Sequence, residues 1–240
     1  MGFIDWLKRG FAAKKETKIA ETKIENVSPV DLPPAPVAIP AKPIDIGSLA
    51  WYENLLKTAK LSDNEDERAR VAWALRCITP NISRYKKIES MTGVPWPLIA
   101  AIHGLEASFK FDRYLGNGDR LDRKTVNVPS GRGPFASFED GAIDALKYDG
   151  LTDVRDWTLE KMLQMAERYN GTGYLSMYKK GRLFFSPYIW SCTNVYPGRG
   201  KYVRDHVFDP DAKDDQVGVA AVLLKLQELG LMTTVANVVA

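Results

Sequence analysis

The chain has 240 residues, with 33 Lys and Arg against 30 Asp and Glu, a formal net charge of +3 and an isoelectric point near 8.7. Hydrophobic residues make up 45%, which is enough for one ordinary core plus an appendage and too short a chain for two full domains. Two histidines and two cysteines, all scattered, argue against a structural zinc site, and no run approaches the ~20 apolar residues of a membrane-spanning helix. The mildly basic balance suits an anionic surface such as a bacterial wall, a membrane or nucleic acid, and chooses among none of them.

Residues 1–15 read as a short amphipathic helix, with Phe3, Ile4, Leu7 and Phe11 at helical spacing and Lys8, Arg9, Lys14 and Lys15 beside them. Contact with a membrane surface or a docking protein is one reading of this segment, and a loosely ordered tail is the other. It lacks a charged region followed by an uninterrupted apolar stretch, so no secretory signal is read there. Residues 16–47 read as a Pro-rich linker, extended and semi-rigid. A folded domain is expected over 48–240.

Within that domain Trp51, Leu55, Leu56 and Ala59 form a helical stripe. Ser62 is the expected N-cap of a run that carries Val71, Ala74, Leu75 and Ile78 on one face and breaks near Pro80. Further helices are expected over 82–91, stopped by Gly93, and from about Pro95 to Ser108. Residues 109–136, rich in Gly, Asp, Asn and Pro, read as loops with a small β-hairpin. Helices resume over 137–149, after a Ser-Phe-Glu-Asp capping pattern, and over 158–169, after Thr158. An irregular aromatic stretch, 171–211, precedes a helix over 213–229 closed by Gly230. The fold class is mainly α, a compact helical domain with a minor β-hairpin. Cys77 and Cys192 are open to two readings, separate thiols or one disulfide.

The chemistry centres on PWPLIAAIHGLEASFKFD. Val94, Leu98, Ile102 and Leu105 form an apolar stripe that marks a central helix, and Glu106 stands near its C-terminal end. Burial and the negative end of the helix dipole both favour the protonated carboxyl there, which is what protonation of a glycosidic oxygen requires. A helix-terminal Glu bonded to solvent or a loop amide is the plainer reading. The following loop offers Asn117, Asp119 and Asp122. Asp119 is the first candidate to guide a water and Asp122 the second, against the common alternative of Asx-turn residues that bond their own backbone. Tyr169 and Asn170 end a helix and suit a sugar and its N-acetyl group, and Tyr188, Trp190 and Asn194 lie in the aromatic stretch.

These three segments in this order resemble the goose-type lysozyme and soluble lytic transglycosylase superfamily. The string IHGLEASFKFDRYLGNGDRLDRKTVNVPSGRGPF, with SPYIWSCTNVY and GKYV, is similar to a subgroup met in phage and prophage proteins. The resemblance spans roughly residues 50–230. It implies a lysozyme-like α+β fold with a glycan cleft, a helix-end glutamate as the indispensable acid, and Tyr-Asn on the cleft floor. The family's Gly-Leu-Met-Gln segment is not apparent, and Gly133-Pro134-Phe135 stands in its place.

The resemblance implies cleavage of the bond between N-acetylmuramic acid and N-acetylglucosamine, by hydrolysis or by transglycosylation to a 1,6-anhydro sugar. Asp119, thirteen residues after Glu106 as an accessory aspartate is in goose-type lysozymes, tilts the expectation to hydrolysis. Catalysis is thus assigned to Glu106, Asp119 and Asp122, and glycan binding to Asn117, Tyr169, Asn170, Tyr188, Trp190 and Asn194. No metal or organic cofactor is implied. The expected partner is the peptidoglycan glycan strand, not nucleic acid, for a monomer acting in the periplasm or cell wall after release or carriage in a virion. Two other classes stand beside this one. An inactive wall-binding or virion protein keeps the fold alone, and a metal-dependent amidase would use His103 and Glu106 as an i, i+3 ligand pair.

Overall fold

The computed structural model describes residues 44–204 and 207–232. The expected helix over 1–15 and nearly all of the 16–47 linker lie outside the described residues. The described chain is mainly helical, with α1 Leu49–Leu56, α2 Glu65–Ile78, α3 Ile82–Thr92, α4 Trp96–Ala107, α5 Phe138–Tyr148, α6 Leu159–Asn170, α7 Gly173–Lys179, α8 Pro187–Trp190 and α9 Val219–Glu228. One antiparallel hairpin, β1 Lys201–Arg204 and β2 Val207–Asp209, pairs Tyr202 with Phe208.

Local chemistry starts and stops most of these helices. Ser48, Ser137 and Thr158 cap α1, α5 and α6 by accepting the amides of Trp51, Asp140 and Lys161. Gly93 ends α3 in the left-handed conformation that a side chain disfavours. The cap of α2 is Asn64 rather than Ser62. Ser62 is drawn into extended pairing, where its amide donates to the Cys192 carbonyl beside a Leu61–Thr193 bridge.

α4 is the axis of the domain. Every residue in it except Gly104 is buried, so it is apolar all round rather than striped. Helices α3, α6 and α9 pack against it. The core runs on through Tyr52, Ile78, Tyr85, Leu115, Phe138, Leu163, Tyr169, Ile189, Trp190 and Leu223.

Three further expectations are corrected. The hairpin lies at 201–209 and not within 109–136, where a single Arg113–Arg120 bridge forms. Residues 114–132 divide their backbone groups between short turn bonds, such as the Thr125 amide to the Arg132 carbonyl, and side-chain acceptors, such as Asp119 for the amides of Val126 and Asn127, so no ladder extends there. Tyr202 and Phe208, by contrast, make a cross-strand aromatic pair at 5.4 Å. The stretch 171–211 is less irregular than its composition suggests, since it holds α7, α8 and the hairpin. The last helix starts at Val219, because the Asp214 carboxylate accepts the Gln216 amide in a turn and Gly218 then packs against α8. Cys77 and Cys192 are separate thiols.

The long loop between α4 and α5 is braced at both ends. Tyr114 donates to Asp144 of α5 at 2.8 Å, Arg132 forms a two-pronged ion pair with the same carboxylate, and Tyr114 stacks on Phe135 with centroids 5.1 Å apart.

Candidate active site

The end of α4 brings the chemistry together. Ser108 and Phe109 take φ of 51° and 59°, so the chain reverses sharply after Ala107. The Phe109 ring folds back over Gly104, where a Cβ would stand 2.5 Å from the ring tip, so a side chain there would have to push the ring aside. Glu106 is left one turn inside the core with none of its surface exposed.

Three elements converge on it. From α8, the Tyr188 hydroxyl donates to Glu106 Oε1 at 3.0 Å. From α6, Tyr169 lies within electrostatic reach of Glu106, and its hydroxyl donates to the Leu115 carbonyl at 3.0 Å. Both phenols are pushed well above the ordinary tyrosine range, first by burial and then by the Glu106 carboxyl, so they act as neutral donors. From the segment before α9, Gln216 Nε2 donates to the Leu105 carbonyl at 3.2 Å, and Ser191 Oγ donates to the Gln216 carbonyl at 2.9 Å. The last turn of α4 and both ends of α8 are thereby held in one hydrogen-bonded unit.

His103, one turn before, has both ring nitrogens engaged. The Tyr85 hydroxyl lies 2.9 Å from Nδ1 and the Lys110 carbonyl 3.2 Å from Nε2. A carbonyl can only accept, which assigns the proton to Nε2 and leaves Nδ1 to accept from Tyr85. No nitrogen remains for a metal, which removes the His103–Glu106 ligand pair. Burial pushes the imidazole down to about 4 from its ordinary 6.5. The unfolded chain therefore binds the proton more readily, and the stability due to neutral His103 is complete above 6.5 and lost as pH falls towards 4. Urea unfolding midpoints at the two ends of that window should fall with acid in the wild type and fall less in His103→Gln.

The other expected residues are distributed differently. Asp119 does not present an open carboxylate. It accepts from the amides of Val126 and Asn127 at 2.8 and 2.9 Å and from Asn127 Nδ2 at 2.6 Å. Asn117 is buried and spans the same loop, donating to the Asn127 carbonyl and accepting the Asp119 amide. These are loop-building roles. Asp122 is exposed, and the guanidinium of Arg120, then that of Arg123, holds its carboxyl well below the usual carboxylate range. A general base needs a higher affinity for the proton. Trp190 is wholly buried and offers no face to a sugar. Asn194 braces the α1–α2 connection, accepting the Lys60 amide at 2.8 Å and donating to the Thr58 carbonyl at 3.0 Å. Asn170 is the half-buried last residue of α6.

Two variants separate these roles. Asp119→Ala should destabilise the chain by about 1–3 kcal/mol, since it strips an acceptor from three donors. A water-guiding role would instead show as lost turnover at unchanged urea midpoint. Asp122→Ala should leave any activity within about twofold, because an exposed ion pair contributes little.

Three residues in or beside this assembly, Ser191, Gln216 and Glu167, have no counterpart among the expected ones. Gln216 sits in a turn, and nothing local marks it. Glu167 stands one turn after Leu163 on the apolar face of α6, and a charged residue at a core position was a legible signal.

Cavities among the described residues include one of about 860 Å³ between α2 and α9 and one of about 310 Å³ beside Trp73 and Phe109. Neither is lined by Glu106, Tyr169 or Tyr188. No protein-family model, curated protein or solved structure matches the chain.

Proposed function

We propose that this chain is a peptidoglycan glycosidase in which Glu106 protonates the oxygen linking N-acetylmuramic acid to N-acetylglucosamine. The observation that carries the reading is the Glu106–Tyr188 pair, a carboxyl sealed at the end of the central helix and oriented by a neutral phenol at 3.0 Å. With Oε1 receiving the Tyr188 hydrogen, the transferable proton belongs on Oε2. Tyr169 and the end of α6 border the carboxyl, in keeping with the lysozyme-like resemblance and its Tyr-Asn cleft floor. Because Glu106 has no exposed surface, a glycan reaches it only when part of the surrounding shell moves aside.

The fate of the oxocarbenium-like centre follows from the aspartates. An inverting hydrolase needs a second carboxylate, ~6.5–9.5 Å away, to activate water. Asp119 is committed to loop amides and Asp122 to guanidinium groups. This favours capture by the muramoyl 6-hydroxyl, giving the 1,6-anhydro product, over the hydrolysis expected from the spacing of Asp119. Digestion of purified peptidoglycan tests both levels. Fragments ~18 Da lighter than hydrolysed muropeptides are expected, since intramolecular capture excludes water. Reducing-end products would restore hydrolysis, and an intact wall would overturn the glycosidase reading.

A further inference from the structure

α6 carries a second buried carboxyl that the proposed chemistry does not use. Glu167 is 1% exposed, and neither of its oxygens has a hydrogen-bond partner among the described residues. It lies near Tyr52 of α1, whose hydroxyl is also unpartnered, and near Ser186 at the N-cap of α8. The Ser186 hydroxyl caps nothing. It stands close enough to influence the Glu167 carboxyl without reaching hydrogen-bond geometry. Helices α4 and α9 also pack against α6, yet among the described residues no charged side chain appreciably shifts Glu167. Arg168, its neighbour in the chain, acts instead on the Tyr52 hydroxyl.

An ionised carboxyl in that position would have neither counter-charge nor donor, which strongly favours the neutral acid. Burial accordingly pushes Glu167 up to about 8, with Ser186 opposing only in part. What the side chain touches gives this meaning. α8 is a single buried turn, with Ser186 at its start and Tyr188, the donor to Glu106, two residues later. A turn this short cannot absorb a shift at Ser186 before it reaches Tyr188.

We propose that Glu167 is a positioning residue, an uncharged wedge between α1 and the start of α8 that keeps the Tyr188 hydroxyl on the Glu106 carboxyl. The proposal rests on the reading of Glu106 as the acid. Its pH window follows from the two states. The carboxyl titrates at 4.5 when unfolded and at about 8 when folded, so its contribution to stability is complete below 4.5 and lost as pH rises through about 8. The alignment of Tyr188 is lost over the same alkaline step.

The full chain can test this with two readouts, the rate of peptidoglycan digestion across pH and the carbon-13 signal of the Tyr188 phenol. The second reports the contact with Glu106 whether or not the chain turns over. In the wild type, kcat should fall by about tenfold per pH unit above the Glu167 step, with the Tyr188 signal moving in parallel. Glu167→Gln should stay within about threefold of wild type at mildly acid pH and lose the part of the alkaline fall that follows Glu167, keeping only the limb set by deprotonation of the Glu106 acid itself, with KM little changed. Glu167→Ala should lose more than about tenfold throughout. An alkaline fall and a Tyr188 signal unchanged in Glu167→Gln would overturn the proposal. An intact wall with a Tyr188 signal that still follows Glu167 would support the positioning contact and overturn the glycosidase reading. If Glu167→Gln does not fold, carboxyl carbon-13 titration decides. A glutamate protonated at neutral pH that persists in Glu106→Gln is expected, and a Glu167 ionised at neutral pH overturns the proposal.

Discussion

Glu106→Gln should abolish peptidoglycan cleavage, by about a thousandfold or more, and leave the fold intact, because a positioned general acid is worth ~10²–10⁴ in rate. The substitution is nearly isosteric. The glutamine carbonyl accepts the Tyr188 hydroxyl as the carboxyl does at 3.0 Å, so the surrounding unit keeps its bond. What goes is the transferable proton. Glu106→Ala is a poorer probe, since it opens a void in a fully buried site and strands the Tyr188 hydroxyl. Circular dichroism and thermal unfolding should show Glu106→Gln close to wild type while muropeptide release disappears. Release that continues at the wild-type rate would rule out Glu106 as the acid. Wild-type chain that binds glycan without cutting it would favour the wall-binding alternative.

Gly218→Ala should be the most damaging single methyl group in the domain. Its backbone is ordinary, with φ of −66°, so no conformational strain is involved. The obstacle is contact. A Cβ at this position would lie 2.6 Å from the Ile189 carbonyl oxygen and 2.7 Å from the Ser191 amide nitrogen, both in the backbone at the end of α8. Backbone cannot rotate away as a side-chain tip can, so α8 and the start of α9 must separate. That movement weakens the bond from the Gly218 amide to the Ser191 carbonyl and disturbs the Ser191–Gln216–Leu105 chain that secures the end of α4. A loss of about 2–4 kcal/mol is expected from overpacking plus lost hydrogen bonds, read from urea midpoints. Because Tyr188 rides on α8, turnover of the folded fraction should fall by about 10²-fold, the usual consequence of misplacing a catalytic group by ~1 Å. Wild-type stability in Gly218→Ala would refute the close approach.

Much of the helical framework was legible in the chain. Ser137 and Thr158 act within four residues of themselves, and Gly93 acts on the turn it ends, so their effects do not depend on distant packing. The apolar run around Leu98, Ile102 and Leu105 identified the central helix for the same reason. Where a distant partner intervened, local reading failed. Ser62 lost its cap to Asn64 because Cys192 claimed its backbone, and α9 began late because Gly218 had to meet α8.

The candidate site divides along the same line. Glu106, Tyr169 and Tyr188 could be singled out, but residue types alone could not distinguish them from Trp190, Asn194 or Asp122. Trp190 went to the core because its large apolar area is worth more buried than exposed, and Asn194 went to the Thr58–Lys60 backbone because unpaired amides there needed partners. Asp119 illustrates the limit best. Its spacing from Glu106 suggested a water-guiding base, and its three donors made it a loop clamp. The linear sequence determined the helices, their caps and a carboxyl at the end of an apolar helix, since those depend on neighbours a few residues apart. Tertiary packing decided which polar groups reach that carboxyl, through contacts such as Tyr188 to Glu106 and Gln216 to Leu105 across 82 and 111 residues, because burial and hydrogen-bond satisfaction are settled only when distant segments meet.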